Sequence, residues 1–230
     1  MFSSSRRTGA PPPSAAADRP VSSPGARPVL RQISGAPSRL VQRPAPAPGR
    51  RGGAVPAART LVVYYSHSGS TPKLAEIVAR LSGGDLAALK PASPYPGEGA
   101  GLDEALDEEE RLGALPWLAP AYPGPGGYWV VLAGSPVWRS GLAGPVRSWL
   151  PKFDFGGSVL ALFLTHGGRG GGRCLSDLAS HARGAAVEPV ILHVRSDGAG
   201  GLPGLDDAGV LSWLRGIKDP GTGRPCYPGL

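Results

Sequence analysis

Residues 66–71 read Ser66-His67-Ser68-Gly69-Ser70-Thr71, four hydroxyls and an imidazole around one glycine. They follow the unbroken run 60–65, which is almost wholly β-branched, aliphatic or aromatic. Where a strand gives way to a helix, hydroxyls and free backbone N–H groups gather at the positive end of the helix, a setting suited to a phosphate dianion. Thr71 is an N-cap type, and the following Pro72 is tolerated in a first helical turn because its missing N–H has no helical partner there. This segment lacks the Gly-Lys-Ser/Thr of a Walker loop and the three-glycine dinucleotide pattern. Two more chemistry-bearing segments follow apolar runs in the same way. Ser135-Pro136-Val137-Trp138 comes after residues 128–134 and offers an aromatic face, and Thr165-His166-Gly167-Gly168 comes after residues 159–164. Glycines at 167 and 168 allow close approach of backbone N–H groups to a ligand, and His166 is a candidate donor to a reacting group.

The elements that position these segments alternate between strand and helix. Apolar runs at 60–65, 128–134 and 159–164, without alternation, are those of strands buried on both faces of a parallel sheet. A short strand is expected at 86–89 and another at 190–194. Leu74, Ile77, Val78 and Leu81 form one helical stripe, stopped by Gly83-Gly84. Leu142, Val146, Trp149 and Leu150 form a second, residues 174–182 a third, and Val210, Trp213, Leu214 and Ile217 a closing helix capped by Asp206 or Asp207. The Pro/Gly-rich stretch 91–127 contains an acidic piece, 103–111, expected as one exposed helix with a solvated face. Strands joined by helix-length segments give an α/β fold with helices on both sides of a five-stranded parallel sheet. In such a sheet ligands bind beyond the carboxyl ends of the strands.

Charge and composition exclude several functions. The net charge of +7 is concentrated in residues 1–59, where ten arginines face one acid, a local +9. Residues 60–230 carry −2, so the folded part has no basic groove and nucleic acid is not an expected partner. Cys174 and Cys226 form no CxxC pair, and His67, His166, His181 and His193 have no ligand-like spacing, so no metal site is expected. No apolar run reaches the roughly 20 residues of a membrane span. Residues 1–59, rich in Pro, Ala, Arg, Ser and Gly, are expected to be a disordered tail, because they hold too few large apolar residues to offset ordering entropy. The tail reads either as a transit peptide, placing the protein in a plastid or the mitochondrial matrix, or as an over-extended reading frame on a cytoplasmic protein. Residues 60–218 are expected to form the domain and 219–230 a C-terminal tail.

Ser66-x-Ser68-Gly69-x-Thr71 resembles the first loop of the flavodoxin family, Ser/Thr-x-Ser/Thr-Gly-x-Thr. The segments at 135–138 and 165–168 resemble that family's second and third flavin loops. The resemblance spans residues 60–217. It implies a flavodoxin-like three-layer sandwich of strand order 2-1-3-4-5 and an FMN cofactor. The phosphate would lie on Ser66, Ser68, Gly69, Ser70 and Thr71, and the ring would be bordered by Ser135, Pro136, Val137 and Trp138. Thr165, His166, Gly167 and Gly168 would face the pyrimidine edge, with His166 the candidate catalytic residue. Trp138 either stacks on the ring or packs beneath the loop; His166 either acts at the ring or faces solvent. His67 is expected to face water, and Arg169 and Arg173 either form a solvated pair or attract a dinucleotide phosphate. Two departures separate the chain from electron-carrier flavodoxins: residues 166–173 hold no aromatic to cover the ring, and the core is nearly neutral. The implied activity is an oxidoreductase passing electrons from NAD(P)H as co-substrate through FMN to a quinone or similar small-molecule acceptor. The alternatives are an electron carrier between redox protein partners and a sheet that has lost its cofactor. Homo-oligomerisation is left open.

Overall fold

The computed structural model describes residues 59–230; the expectations for the segment before residue 59 lie outside the described residues. The parallel sheet runs β2-β1-β3-β5, with β1 Thr60–Tyr64, β2 Asp85–Ala88, β3 Val130–Trp138 and β5 Val159–His166. A two-residue strand β4, Gly141–Leu142, folds back antiparallel on the end of β3. On the outer side of β5 lie two short strands in succession. Ala186–Val187 (β6) pairs with the start of β5, and Leu192–Arg195 (β7) with its end. The order is therefore that of a flavodoxin-like fold, with its fifth position divided.

The division corrects the single strand expected at 190–194 and has a local cause. Pro189 has no N–H for the ladder. The buried Glu188 carboxylate instead accepts the backbone N–H groups of Val190 (3.2 Å) and Lys218 (3.0 Å), taking the chain off the sheet between β6 and β7. The strand expected at 86–89 lies one residue earlier, and the strands expected to stop at 134 and 164 run on to Trp138 and His166.

Each apolar run divides its side chains between two cores, as strand geometry requires. Leu61, Val63 and Tyr65 join Val131, Ala133, Leu160, Leu162 and Leu164 beneath α3 (Gly144–Trp149) and α4 (Cys174–His181). On the other face Val62, Val130, Leu132, Ala161 and Phe163 pack under α1 (Ser70–Ser82) and α5 (Asp207–Gly216). Leu142, expected on the helical stripe with Val146, Trp149 and Leu150, lies instead in β4, and that helix begins at Gly144. Asp206 caps α5 by accepting the Gly209 N–H at 2.7 Å. The terminal segment 219–230, read from sequence as a tail, contributes buried Cys226 and Tyr227, and the Tyr227 hydroxyl lies 3.0 Å from that of Thr60. Cys174 and Cys226 are free, buried thiols with pKa values pushed up to about 12 by burial, so both stay protonated.

The excursion 90–119 leaves and rejoins the body at adjacent points. The Ala92 N–H donates to Trp117 O (2.6 Å) and the Ala119 N–H to Lys90 O (2.8 Å). It carries α2, Ala100–Leu112, the exposed acidic helix, none of whose residues is buried. Ser148 Oγ and Trp149 Nε1 of α3 donate to Pro116 O and Pro123 O and hold the end of the excursion and the segment after it against the body. Among the described residues no helix is long and apolar enough to cross a membrane.

At the centre of the sheet β3 pairs Gly134 with Tyr64 on one side and Phe163 on the other. A Cβ at 134 would collide with the Phe163 ring and lie 2.9 Å from Tyr64 Cβ. Overpacking of this kind costs roughly 1–3 kcal/mol. Gly134→Ala is therefore expected to lower unfolding stability by about that amount, read as a shift in urea midpoint; an unchanged midpoint would contradict the packing described.

Candidate functional site

The parallel register brings the chain out of β1, β3 and β5 at one edge, and the three segments singled out by sequence lie there. Gly69, at φ 87°, makes the left-handed turn into α1; a Cβ there would meet nothing within 4 Å, so the turn is open outward. The Gly69 N–H donates to Ser66 Oγ at 3.1 Å. Helix α1 starts at Ser70, one residue before the expected cap, and no side chain caps it. Thr71 thus lies inside the first turn. Its hydroxyl is buried and hydrogen-bonded to the Thr165 hydroxyl at 2.9 Å, tying the first segment directly to the end of β5. Ser70 Oγ is 2.6 Å from Ser196 Oγ, a residue just past β7 that carries no motif in the sequence. Ser68 is exposed, with no hydrogen-bond partner for its hydroxyl among the described residues. The uncapped helix end, its positive dipole and an open hydroxyl are the features an anion site requires.

Ser135-Pro136-Val137-Trp138 is strand rather than loop. Val137 and Trp138 pair with Leu142 and Gly141, and the two turn residues, Arg139 (φ 46°) and Ser140 (φ 64°), are both left-handed, as the tightest hairpin turns require. Ser135 is fully buried; its hydroxyl donates to Pro136 O (2.8 Å) and accepts the Ala143 N–H (3.0 Å), fixing the entry to α3. The hydroxyl of Ser135 is thus engaged inside the chain. Pro136, Val137 and Trp138 are half-buried, with Val137 and Trp138 against the first core.

Trp138 stands edge-on in an aromatic group that the sequence did not single out. Its ring centroid is 4.9 Å from Tyr95 and 5.5 Å from both Tyr65 and His67, with all three interplanar angles between 77° and 79°. Edge-to-face contacts of this kind are favourable beyond the area they bury. His67, expected to face water, is half-buried in this group, since its ring also meets Tyr95 at 6.5 Å. Tyr95 comes from the Pro/Gly-rich excursion, where no periodicity marks it; its phenol donates to Glu109 Oε1 at 2.5 Å. Burial raises the Tyr95 and Tyr65 phenols far above their usual value and raises the Glu109 carboxyl, so Tyr95 remains a neutral donor at any working pH.

Thr165 is buried and His166 is half-buried at the end of β5. His166 Nδ1 accepts the Gly168 N–H at 3.0 Å, which leaves the proton on Nε2 and shapes the turn. Its ring centroid is 5.9 Å from that of His193 on β7, whose pKa is lowered by burial and by His166. Gly167 and Gly168 are exposed, and a Cβ at 167 would meet open space. Arg169 is exposed; Arg173, also exposed, lies 3.6 Å from Asp177. No group of three or more His, Cys, Asp or Glu suited to a metal ion occurs among the described residues.

The sequence profile of the flavodoxin family matches residues 59–196. No curated protein is detectably similar to the chain. Among solved structures, a flavoprotein from Lactobacillus acidophilus in complex with FMN is 26% identical, covering 61% of this chain and 94% of that one with a TM-score of 0.51. A Bacteroides eggerthii protein assigned as a flavoprotein is 22% identical over 70% of this chain and 98% of that one, with a TM-score of 0.57. A counterpart from Bacteroides uniformis is 19% identical over 68% and 97%, with a TM-score of 0.56. The last two likenesses establish fold alone.

The buried Thr71–Thr165 pair generates a stability prediction of its own. Thr71→Val or Thr165→Val alone strands a buried hydroxyl and is expected to cost about 1–3 kcal/mol, whereas the double variant restores an apolar contact and should cost less than the sum of the two. A urea-denaturation double-mutant cycle measures this; strict additivity would mean that the two hydroxyls do not meet.

Proposed function

The chain belongs to the flavodoxin family, and we propose that it binds FMN at the carboxyl edge of the sheet and passes electrons from NAD(P)H to a quinone or similar small acceptor. The observation that carries this reading is the Thr71–Thr165 hydrogen bond, which holds the anion-binding turn and the glycine segment after β5 side by side at one edge. The Lactobacillus acidophilus relative in complex with FMN supports the choice of cofactor.

The residues present fit such a group. The open turn at Gly69, the free hydroxyl of Ser68 and the uncapped first turn of α1 would take the phosphate, with Ser66, Ser70 and Thr71 shaping that turn. Trp138 would border the ring, and the exposed backbone at Gly167 and Gly168 would face its polar edge. FMN, when bound, supplies hydride acceptance and one- or two-electron transfer. The chain's own part is to hold, orient and cover. Thr165 positions Thr71, His166 fixes the turn through Gly168, and its Nε2–H is the candidate donor toward the ring or the acceptor. Pro136 and Val137 back the Trp138 wall, while Ser135 acts on the hairpin from beneath.

Reduction of a small acceptor, rather than carriage between proteins, is supported by the exposed and aromatic-free stretch 167–169, which leaves one side of the site open to a second molecule. The carrier reading keeps one observation in its favour, the acidic outer face of helix α2, a face of the kind protein partners meet.

Purified protein is expected to be yellow and to release FMN on denaturation, and under anaerobic conditions NADPH or NADH should bleach it, with colour restored by a quinone. Bleaching only through a partner reductase would favour the carrier; colourless protein that takes up no added FMN would end the flavin reading. Ser68→Ala should weaken FMN by about 1–3 kcal/mol, the worth of a hydrogen bond to a charged group. Isothermal titration of flavin-free protein measures it, and unchanged affinity would remove Ser68 from the phosphate site.

A further inference from the structure

A cavity of about 180 Å³ is lined by residues of α2 and the segment after it, of the β3–β4 hairpin, of α3 and of the entry to α4. Its walls include Leu106, Glu109, Trp138, Arg139, Arg147 and Arg173. Three guanidinium groups thus reach one small space from three different elements: the hairpin turn, α3 and the entry to α4.

The three are not equivalent. Arg139 is engaged through its two terminal nitrogens, donating to Asp107, to Glu110 Oε2 at 3.4 Å and to Asp103 O at 3.0 Å, and so pins α2 to the hairpin. Arg173 has Asp177 at 3.6 Å. Arg147 forms no ion pair within 4 Å among the described residues, and its Nε is the one buried side-chain nitrogen or oxygen among them with no hydrogen-bond partner. Glu109, which bears on it electrostatically, is turned to the Tyr95 hydroxyl. A buried N–H without a partner is rare in a native structure and calls for a reason. Arg147 lines the cavity, and while its Nε is shut off from solvent, its terminal nitrogens are not buried and also have no hydrogen-bond partner among the described residues, so they are the donors a ligand there can reach.

We propose that this cavity is a binding site for the carboxylate of a small planar organic acid, anchored by the Arg147 guanidinium with its ring against Leu106 and Trp138. A guanidinium offers two parallel N–H donors in one plane, the geometry of a carboxylate. A void of this volume holds a ring about the size of benzene. Because Trp138 also borders the flavin site proposed above, an acid seated here reaches toward that site, and the cavity selects the second substrate as a carboxylate-bearing aromatic or quinone. That last step rests on the flavin reading; the anion site itself does not.

The test is titration of the full-length protein, flavin-free and FMN-loaded, with para-fluorobenzoate followed by fluorine NMR. Saturable binding is expected, absent for the neutral para-fluorobenzamide, weakened about tenfold or more by Arg147→Gln, and tightened by Glu109→Gln, which removes a nearby negative charge. A tightened variant cannot be mistaken for a misfolded one. Equal binding of the amide, or no change in either variant, overturns the proposal, as does inorganic phosphate displacing the acid at equal concentration. Arg147-dependent binding in a protein that takes up no FMN would leave the carboxylate site standing and end the flavin reading. FMN uptake with no saturable acid binding would do the reverse.

Discussion

The parallel ladder of β1, β3 and β5 is the constraint on which everything else depends. Its register sets Tyr64, Gly134 and Phe163 in one row, and from that row all three chains leave the sheet in the same direction. Glycine at the middle of the row is the condition for it, because the Phe163 ring and Tyr64 Cβ occupy the space a larger residue would need. Parallel strands with helices on both faces have no other way to present side chains together than at their carboxyl ends. The buried Thr71–Thr165 contact is the polar seal of that arrangement, since it joins the first turn of α1 to the end of β5 across the strand between them.

A second layer of organisation is built on the first by side chains distant in sequence. The excursion 90–119 has no core of its own, yet it is stitched down at both ends and against α3, and it delivers Tyr95 to Trp138 and Glu109 to the cavity wall. Arg139 at the hairpin tip completes the attachment by binding α2, an exposed helix with nothing buried to hold it. Exposed ion pairs are individually weak, so the backbone and phenol hydrogen bonds carry most of the positioning here. The outcome is that Trp138 both meets His67 of the first segment and lines the cavity together with Arg139, Arg147 and Arg173.

That placement gives Trp138 two sets of neighbours. Its edge-on contacts with Tyr65, His67 and Tyr95 fix the indole without covering it by a parallel ring, which suits it to border both of the proposed sites. His166, by contrast, is bound into its own turn through Nδ1 and makes no ring contact with that group; its ring meets His193 instead.

The sequence alone determined the layers and the location of the hydroxyl-rich turn after β1. Unbroken apolar runs and helical stripes are local signals, and Ser66 to Thr71 carries its chemistry in six consecutive residues. Strand ends were less legible, because Ser135, Pro136 and Thr165 look like loop residues until the ladder beside them is formed; Pro136 pairs with Thr165 only in the folded sheet. Only the tertiary structure decided that Ser135 turns inward, that His67 joins an aromatic group and that Tyr95 and Ser196 belong to the site, since each depends on a contact between segments with no shared period. The lone Arg147 Nε was likewise invisible in sequence, where an arginine in a helix reads as solvated; whether its N–H finds a partner is settled by burial, which no single stretch of chain can report.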